Sequence, residues 1–550
     1  MAKVTLKKNK VQLLRSRFEK ADNERQNWLH IWEKAYKFAL PQLSMGGAPD
    51  FSINTPGEDL NIHIYDTTLA RATNVFSSKI FNGLTPIGQK WVNLEVGDEL
   101  KRKGGDLKDI TVELQAVNDT IFQFINASNF YEEMGSAYEN FAIGTMALLV
   151  NFNPNNRGRP FIFESVNPQI LALEISARNR PENVWRSFDK IKVADIQFKW
   201  PTIKLTSKLK QLLRNDPLAT TKVIEGTVYQ NDKNNFLHVI FGDEENDVLL
   251  AEENESTPWI ITRFSTRPNE AFGRGRVLTA LHAAITLNTM VLFVLQQAQI
   301  QLAPPFISTF DSMINPHTFR FGPNKIIPVK SLEALKKLDV AGDLQAARFN
   351  MQMLQQQIES IMLTNPMGAI NAPAKTATEI SGRINETVEE LAPTVGRFTA
   401  EFYHALFERL LFLSNSEGLI SFKTTKGLTI RKNEIQLQYS APLIRGQDFK
   451  DLQAYTQFTR AMQEFFGPQL APATVNETFI PEYIANLLHF PARLVKSPAE
   501  LIKVIEAAQQ QQQQAQQQQN PSPQQQASGS LLNAFSDAQD IGSTQTPTGV

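Results

Sequence analysis

The sequence predicts an α+β fold that is mainly α. Three observations carry this. Apolar residues recur at helical spacing from residue 9 to residue 143. Short strand-like segments separated by turns then fill residues 159–266. Two long, charge-poor helical stretches follow, on either side of an insert of about 40 residues, the spacing of a helical hairpin with a cap.

In chain order, Asn9 to Leu40 reads as an amphipathic helix. Val11, Leu14, Phe18, Ala21, Trp28, Trp32, Ala35 and Ala39 follow the helical repeat, and Pro41 stops it. After a Gly/Pro/Asn loop to Ile64, Asp66 is placed to cap a second helix that Gly83 ends. Residues 91–96 are extended. A third helix runs from Leu107 to Ser128, with Ile110, Leu114, Val117, Ile121 and Ile125 on one face. A fourth begins at Phe130 and passes through Gly144 into an apolar strand, Met146 to Phe152. Segments 160–166, 170–176, 223–230, 236–242 and 259–265 read as strands. The Asn-Asp-Lys-Asn-Asn run at 231–235 reads as a hairpin loop, and Lys204 to Leu213 as an inserted helix.

Gly273 to Pro305 organises the rest. From Val277 to Phe310 there is no Asp, Glu, Lys or Arg, and apolar residues lie on every side of the helical wheel. Such a helix is buried in protein or in a membrane. Three readings stand: a core helix, a membrane span, and a helix packed against copies of itself in a ring. Against the span stand Thr286, Asn288, Thr289, the glutamines Gln296, Gln297, Gln299 and Gln301, and flanks without a one-sided basic bias. His282 on this helix reads as a satisfied core residue.

Phe306 to Lys337 forms a compact insert with a strand expected at Lys325 to Val329. The second long helix, Asp343 to Thr364, is dense in Gln and Met, and its body carries only Arg348 and Glu359 as charges. Pro366 to Lys375 is a loop of small residues and prolines. The capping box Thr376-Ala377-Thr378-Glu379 opens a helix that reaches Leu413, kinked at Pro393 and ended by Gly418. Strands are expected at Ile420 to Thr424 and Glu434 to Tyr439, and helices at Leu452 to Phe466 and Ile480 to Leu488. A final helix starts at the capping box of Ser497 and enters the glutamine tract 509–519; the tail beyond is expected to be disordered.

The 550 residues suit two to four domains or one elaborate subunit, and 42% hydrophobic content suits a globular protein. A net charge of −1 argues against a binder that grips phosphates tightly, though not against a protein that lets DNA slide past. Cysteine is absent, which excludes disulfides, thiolate nucleophiles and Cys-ligated zinc. The basic N-terminus has no apolar run behind it, so no secretory signal is read there. There is no P-loop, HExxH or GxSxG, and Gly273-Arg274-Gly275 lacks the third glycine of a dinucleotide fingerprint. The seven histidines are scattered. No catalytic residue, metal or cofactor is therefore expected, and the chain is not expected to be an enzyme. A metal site built from distant carboxylates remains the enzymatic alternative.

Five stretches carry a resemblance: 65–96 (YDTTLARATNVFSSKIFNGLTPIGQKWVNLEV), 128–150 (SNFYEEMGSAYENFAIGTMALLV), 272–288 (FGRGRVLTALHAAITLN, with APPFI after it), 375–402 (KTATEISGRINETVEELAPTVGRFTAEF) and 479–501 (FIPEYIANLLHFPARLVKSPAEL). In order and spacing over residues 10–510 the chain resembles the head-to-tail connecting (portal) proteins of short-tailed, T7-like bacteriophages. It departs from that pattern at Ile87 and Arg276, where prolines are expected.

The resemblance implies a portal-protein fold assembled as a dodecameric ring at one capsid vertex, with a central channel for double-stranded DNA. It implies a wing (1–271), a first stem helix (272–305), a clip (306–341), a second stem helix (342–365), a tunnel loop (366–375), a long helix with strands returning to the wing (376–448), a crown (449–519) and a tail (520–550). Gln345, Gln352, Gln356, Asn371 and Lys375 become candidates to touch DNA in the channel. Lys325, Lys330, Lys336 and Lys337 of the clip become candidates for terminase or adaptor contact. For the lysines, plain solvated surface is the competing reading. The implied partners are copies of the chain, DNA, the terminase large subunit, capsid and scaffold proteins, and tail adaptor and nozzle proteins. The implied location is the virion, after assembly in the bacterial cytoplasm. The rival is a membrane-inserting pore or internal virion protein built on residues 277–295.

Overall fold

The computed structural model describes residues 2–43, 63–97, 107–176, 180–200, 202–203, 205–244, 247–302, 306–308, 335–337, 344–364, 389–420, 435–444, 455–462 and 464–465, with Ile480 and Ile484. The chain divides into two units, Met1–Gly446 and Gln447–Val550. In the second unit, residues 455–462 are helical, within the helix expected from Leu452. Ile480 and Ile484 are helical too.

The first unit begins with β1 (Ala2–Lys3), then α1 (Lys8–Ala39), α2 (Thr68–Leu84), β2 (Val92–Val96), α3 (Leu107–Ala127) and α4 (Phe130–Ile143). β3 (Thr145–Phe152), β4 (Phe161–Ser165), β5 (Leu171–Glu174) and β6 (Asn183–Lys192) follow. Two short helices, α5 (Val193–Lys199) and α6 (Ser207–Asn215), are inserted before β7 (Thr220–Gln230), β8 (Asn235–Phe241), β9 (Val248–Asn254) and β10 (Trp259–Arg263). Then come α7 (Arg276–Leu302), β11 (Phe306–Ser308), β12 (Leu335–Lys337), α8 (Leu344–Ile361), α9 (His404–Ser416) and β13 (Ile435–Tyr439).

The mixed, mainly helical architecture agrees with the sequence, and so do most of the element positions. The strand layer is fuller than expected. It is a six-stranded sheet in the order β1-β9-β8-β7-β6-β5, antiparallel throughout. Val11, Leu14 and Ala21 of α1 cover one face, against Trp185, Val228, Leu237 and Val239. Val193, Ile196, Trp200 and Leu209 of the insert cover the other, against Val223, Ile240 and Leu250. Strands β6 and β9 were not read from sequence because Arg186, Asp189, Lys190, Glu252 and Glu253 interrupt their apolar pattern.

A second core joins α1–α4, the sheet β10-β3-β4, the pair β13-β2 and the helix through 389–416. Trp91 is fully buried at its centre, with the rings of Tyr403 at 5.1 Å, Phe407 at 5.6 Å and Phe130 at 5.9 Å. Tyr403 Oη donates to Leu84 O at 2.7 Å.

Several local expectations change. Gly83 lies inside α2, and a Cβ there would overlap Leu443, so its glycine serves packing rather than termination. Asp66 precedes the N-cap residue Thr67, yet its Oδ1 accepts from Thr68 N at 2.9 Å, so it caps the helix from one residue further out. The chain is helical through Pro393. Among the described residues, the departure from α-helical bonding in this helix is instead a π turn, Thr399–Tyr403. That turn presents Glu401, which accepts from Arg263 N at 2.9 Å and from Arg263 Nη2 at 2.6 Å. Ile420 is not in a strand, and Gly418, at φ +66°, follows the helix end as expected. The expected strand at 325–329, the loop 366–375, the capping boxes at Thr376 and Ser497, the glutamine tract and the tail lie outside the described residues.

Candidate functional site

The candidate site is the helical hairpin of α7 and α8, whose connection is partly closed by the antiparallel pair β11-β12. Its base is locked backbone to backbone. Gly275 N donates to Ile143 O at 2.7 Å, and Arg274 N to Ser265 O at 2.9 Å. Phe264 N donates to Gly144 O at 2.8 Å, and Gly273 N to Thr145 Oγ1 at 2.8 Å. Only glycine permits this approach. A Cβ at Gly144 would overlap Gly273 O, one at Gly275 would overlap Ala142 O, and Gly144 sits at φ +156°. Phe272 wedges against Trp28 and Trp32 at 5.8 and 4.8 Å.

Arg276 opens α7 and fastens two other elements. Its Nη1 donates to Ile361 O at 2.8 Å and to Glu390 Oε1 at 3.0 Å. Lys79 Nζ donates to Leu363 O at 2.7 Å. Two cations thus hold the carbonyl-rich end of α8, where the helix dipole favours positive charge. Arg276 therefore has a definite structural role.

The first half of α7 is buried through Val277, Ala280, Leu281, Ala284 and Leu287. Asn288 is buried as well, and it is satisfied by backbone. Its Oδ1 accepts from Tyr65 N at 2.6 Å and Asp66 N at 3.2 Å, and its Nδ2 donates to His63 O at 3.1 Å. The polar residue that interrupted a membrane reading holds the non-helical segment 63–66 against the middle of the helix. Beyond it the hairpin is bare. Phe293 is 60% and Leu295 48% exposed on α7; Phe349 is 64% and Met353 54% exposed on α8. His282 is exposed, not a core residue, because the chain covers one side of α7 only. Residues 276–301 are long and apolar enough to cross a membrane, yet only 33% of the most apolar window is buried within the chain.

Gln345, Gln352 and Gln356 all lie exposed on α8. Gln352 and Gln356 line a cleft of about 420 Å³ with Thr67, Arg71, Gln355 and Glu359. Gln355 Nε2 reaches Asp66 Oδ2 at 3.4 Å. Arg71 was not singled out in the sequence, since nothing in its local pattern ties it to a helix so distant in the chain. Lys336 and Lys337 belong to β12, opposite Ile307 and Phe306. Lys325, Lys330, Asn371 and Lys375 lie outside the described residues. Among the described residues, no group of three or more His, Asp or Glu side chains is arranged to hold a metal.

Two solved structures are similar to the chain. "Virion of native gene transfer agent (GTA) particle" matches at 10% identity and a TM-score of 0.34, covering 72% of this chain and 86% of that one. "Neck of empty GTA particle computed with C6 symmetry" matches at 10% identity and a TM-score of 0.33, covering 70% and 84%. No curated protein matches. Residues 11–495 match the family described as bacteriophage head to tail connecting protein, and the chain belongs to that family, a structural and non-enzymatic component of the virion at the junction of head and tail.

Proposed function

We propose that the chain is the portal of a short-tailed, T7-like phage: a dodecameric ring at one capsid vertex through which double-stranded DNA enters during packaging and leaves on infection. In this reading it docks the terminase, which supplies ATP hydrolysis, and later the tail adaptor proteins. The strand layer and N-terminal helices form the wing, the hairpin forms the stem, residues 306–341 the clip, 366–375 the tunnel loop and 449–519 the crown.

One observation carries this reading. The far half of the hairpin exposes Phe293, Leu295, Phe349 and Met353, which the chain itself leaves uncovered. Each such side chain stabilises by about 1.5–3 kcal/mol when fully buried. Neighbouring copies in a ring supply that cover without lipid. The charge-poor hairpin also suits a duplex that must slide, because each neutralised phosphate adds salt-dependent grip. Gln345, Gln352 and Gln356 offer uncharged contacts in the channel, with Arg71 the nearby cation.

The membrane-pore reading draws on the same bare apolar surface. The segment 63–66 bonded to Asn288 opposes it, since irregular backbone at mid-helix does not face hydrocarbon. Native mass spectrometry of the full chain without detergent tests the two. A ring of roughly twelve subunits is the expected result. A protein that stays insoluble until detergent is added would sink the portal reading.

A further inference from the structure

Among the described residues, β4 and β10 are the outer strands of the sheet β10-β3-β4. An outer strand offers a row of backbone groups to any chain that can add a strand. The register identifies these groups on β4. Asn153 N donates to Pro160 O and Val166 N to Ala147 O, so residues 160, 162, 164 and 166 turn their backbone groups toward β3. Phe161, Phe163 and Ser165 turn theirs outward.

Among the described residues no strand meets this edge; side chains do. Asn129 Oδ1 accepts from Phe163 N at 3.0 Å, and Asn129 Nδ2 donates to Phe163 O at 2.8 Å. Glu133 Oε2 accepts from Ser165 N at 2.7 Å. The amide of Asn129 thus makes both bonds that a residue of a neighbouring strand would make. Spacing explains the fit. Asn129 and Glu133 are four residues apart on α4, a rise of about 6 Å. Phe163 and Ser165 are two residues apart on a strand, a rise of about 7 Å. Asn129 Nδ2 also reaches Glu133 Oε1 at 3.4 Å, which ties the two side chains together. Asn129 is the N-cap residue of α4, yet its side chain makes no capping bond to that helix. An asparagine at this position ordinarily caps its own helix, so that stabilisation is given up in favour of the strand edge.

The opposite edge is treated in the same way. Val150 N donates to Pro258 O and Phe264 N to Gly144 O, which leaves residues 259, 261 and 263 of β10 turned outward. Glu401 Oε2 accepts from Arg263 N at 2.9 Å, and Thr257 Oγ1 from Trp259 N at 3.1 Å.

We propose that Asn129 and Glu133 stand in for a missing strand and close the β4 edge against strand addition by a second copy of this chain. The need lies in the strand itself. Phe161-Ile162-Phe163 has high strand propensity, and Ile162 is 44% exposed. Identical edges meet whenever copies crowd together, and an open β4 pairs with another β4. The closure is an autoinhibitory contact that leaves copies to associate through other surfaces.

The full chain carrying Asn129→Ala and Glu133→Ala tests this, with a fluorescein-labelled peptide of residues 159–166 (RPFIFESV) as the probe strand. Fluorescence anisotropy should show the peptide binding the double variant at least about ten-fold more tightly than the unaltered chain. Thr85→Val removes the buried bond between Thr85 and Tyr138, leaves the edge intact, and should bring no gain. Methylating the backbone amides of the peptide should abolish the gain, because main-chain bonds carry strand addition. Should the double variant not fold, Asn129→Asp carries the test. It keeps the acceptor for Phe163 N, loses the donor to Phe163 O, and should gain about three-fold. Equal peptide affinity in the folded variant and the unaltered chain overturns the proposal. So does a gain shared by Thr85→Val, or one that survives methylation of the peptide.

Discussion

At its base the hairpin of α7 and α8 is sealed, and at its far end it is bare. The base is glycine backbone against backbone, with Gly144, Gly273 and Gly275 admitting contacts that any side chain would block. The far end is Phe and Met on open helix surface. The difference teaches where each half finds its stability. The base is complete within one chain, so its residues answer to folding. The far end is incomplete, so its residues answer to whatever covers them.

Substitutions can break this contrast, and the largest effect belongs to the base. Gly144→Ala should cost at least about 3 kcal/mol, from left-handed backbone and overlap with Gly273 together, read as a lowered midpoint in urea unfolding. Gly88→Ala, also at positive φ but with open space around it, should cost only about 1 kcal/mol. Equal costs at the two glycines would mean that the close approach is not what matters at the base.

Asn288 stands at the boundary between the two halves. Asn288→Ala leaves the amides of Tyr65 and Asp66 without an acceptor and should cost about 1–3 kcal/mol. Hydrogen exchange at residues 63–68 should rise while exchange in α4 stays slow. If both rise together, the segment and the base unfold as one.

The strand layer supplies a third point of reference, through pH. His238 lies partly buried beside Glu225, Glu252 and Arg409, and desolvation holds its pKa below the ordinary value of 6.5 despite the two glutamates. A histidine neutral in the fold favours the unfolded chain once the latter takes up protons. Stability is therefore full above about pH 6.5 and declines as pH falls below it. His238→Gln should flatten that decline in thermal melts, and an unchanged slope would assign the acid sensitivity elsewhere.

The smallest effect on folding is expected at the far end. Phe293→Asp combined with Phe349→Asp should change the stability of a single chain by no more than about 0.5 kcal/mol. The same pair should abolish assembly, measured by light scattering after size exclusion. Retained rings would show that this surface is not what holds copies together.

Much of the fold was legible because local physics decides it. Pro41 ends α1, and the spacing of Val11, Leu14, Ala21 and Trp28 names its buried face. The charge-free run after Val277 announced a long helix with few surface obligations. Strands β6 and β9 were hidden because Arg186, Asp189, Lys190, Glu252 and Glu253 break the apolar pattern that a strand covered on both faces would otherwise show. The site was legible only in part. Gln352 and Gln356 stood out by composition, whereas Arg71 beside them did not, because adjacency across so much chain leaves no local trace. His282, read as a satisfied core residue, is exposed, because the chain covers one side of α7 only and no local pattern records which side.

By itself the sequence determined the order of most helices and of several strands, the absence of thiol chemistry and the all-round apolarity of α7, since periodicity, composition and capping act over a few residues at a time. Only the tertiary structure decided that Gly83 packs rather than terminates, that Glu401 leaves a π turn to hold Arg263, that Asn288 is satisfied by distant backbone, and that half of the apolar helix is left without cover. Those outcomes depend on which surfaces meet in space, and a linear pattern records what a residue can bury but not what will be there to bury it.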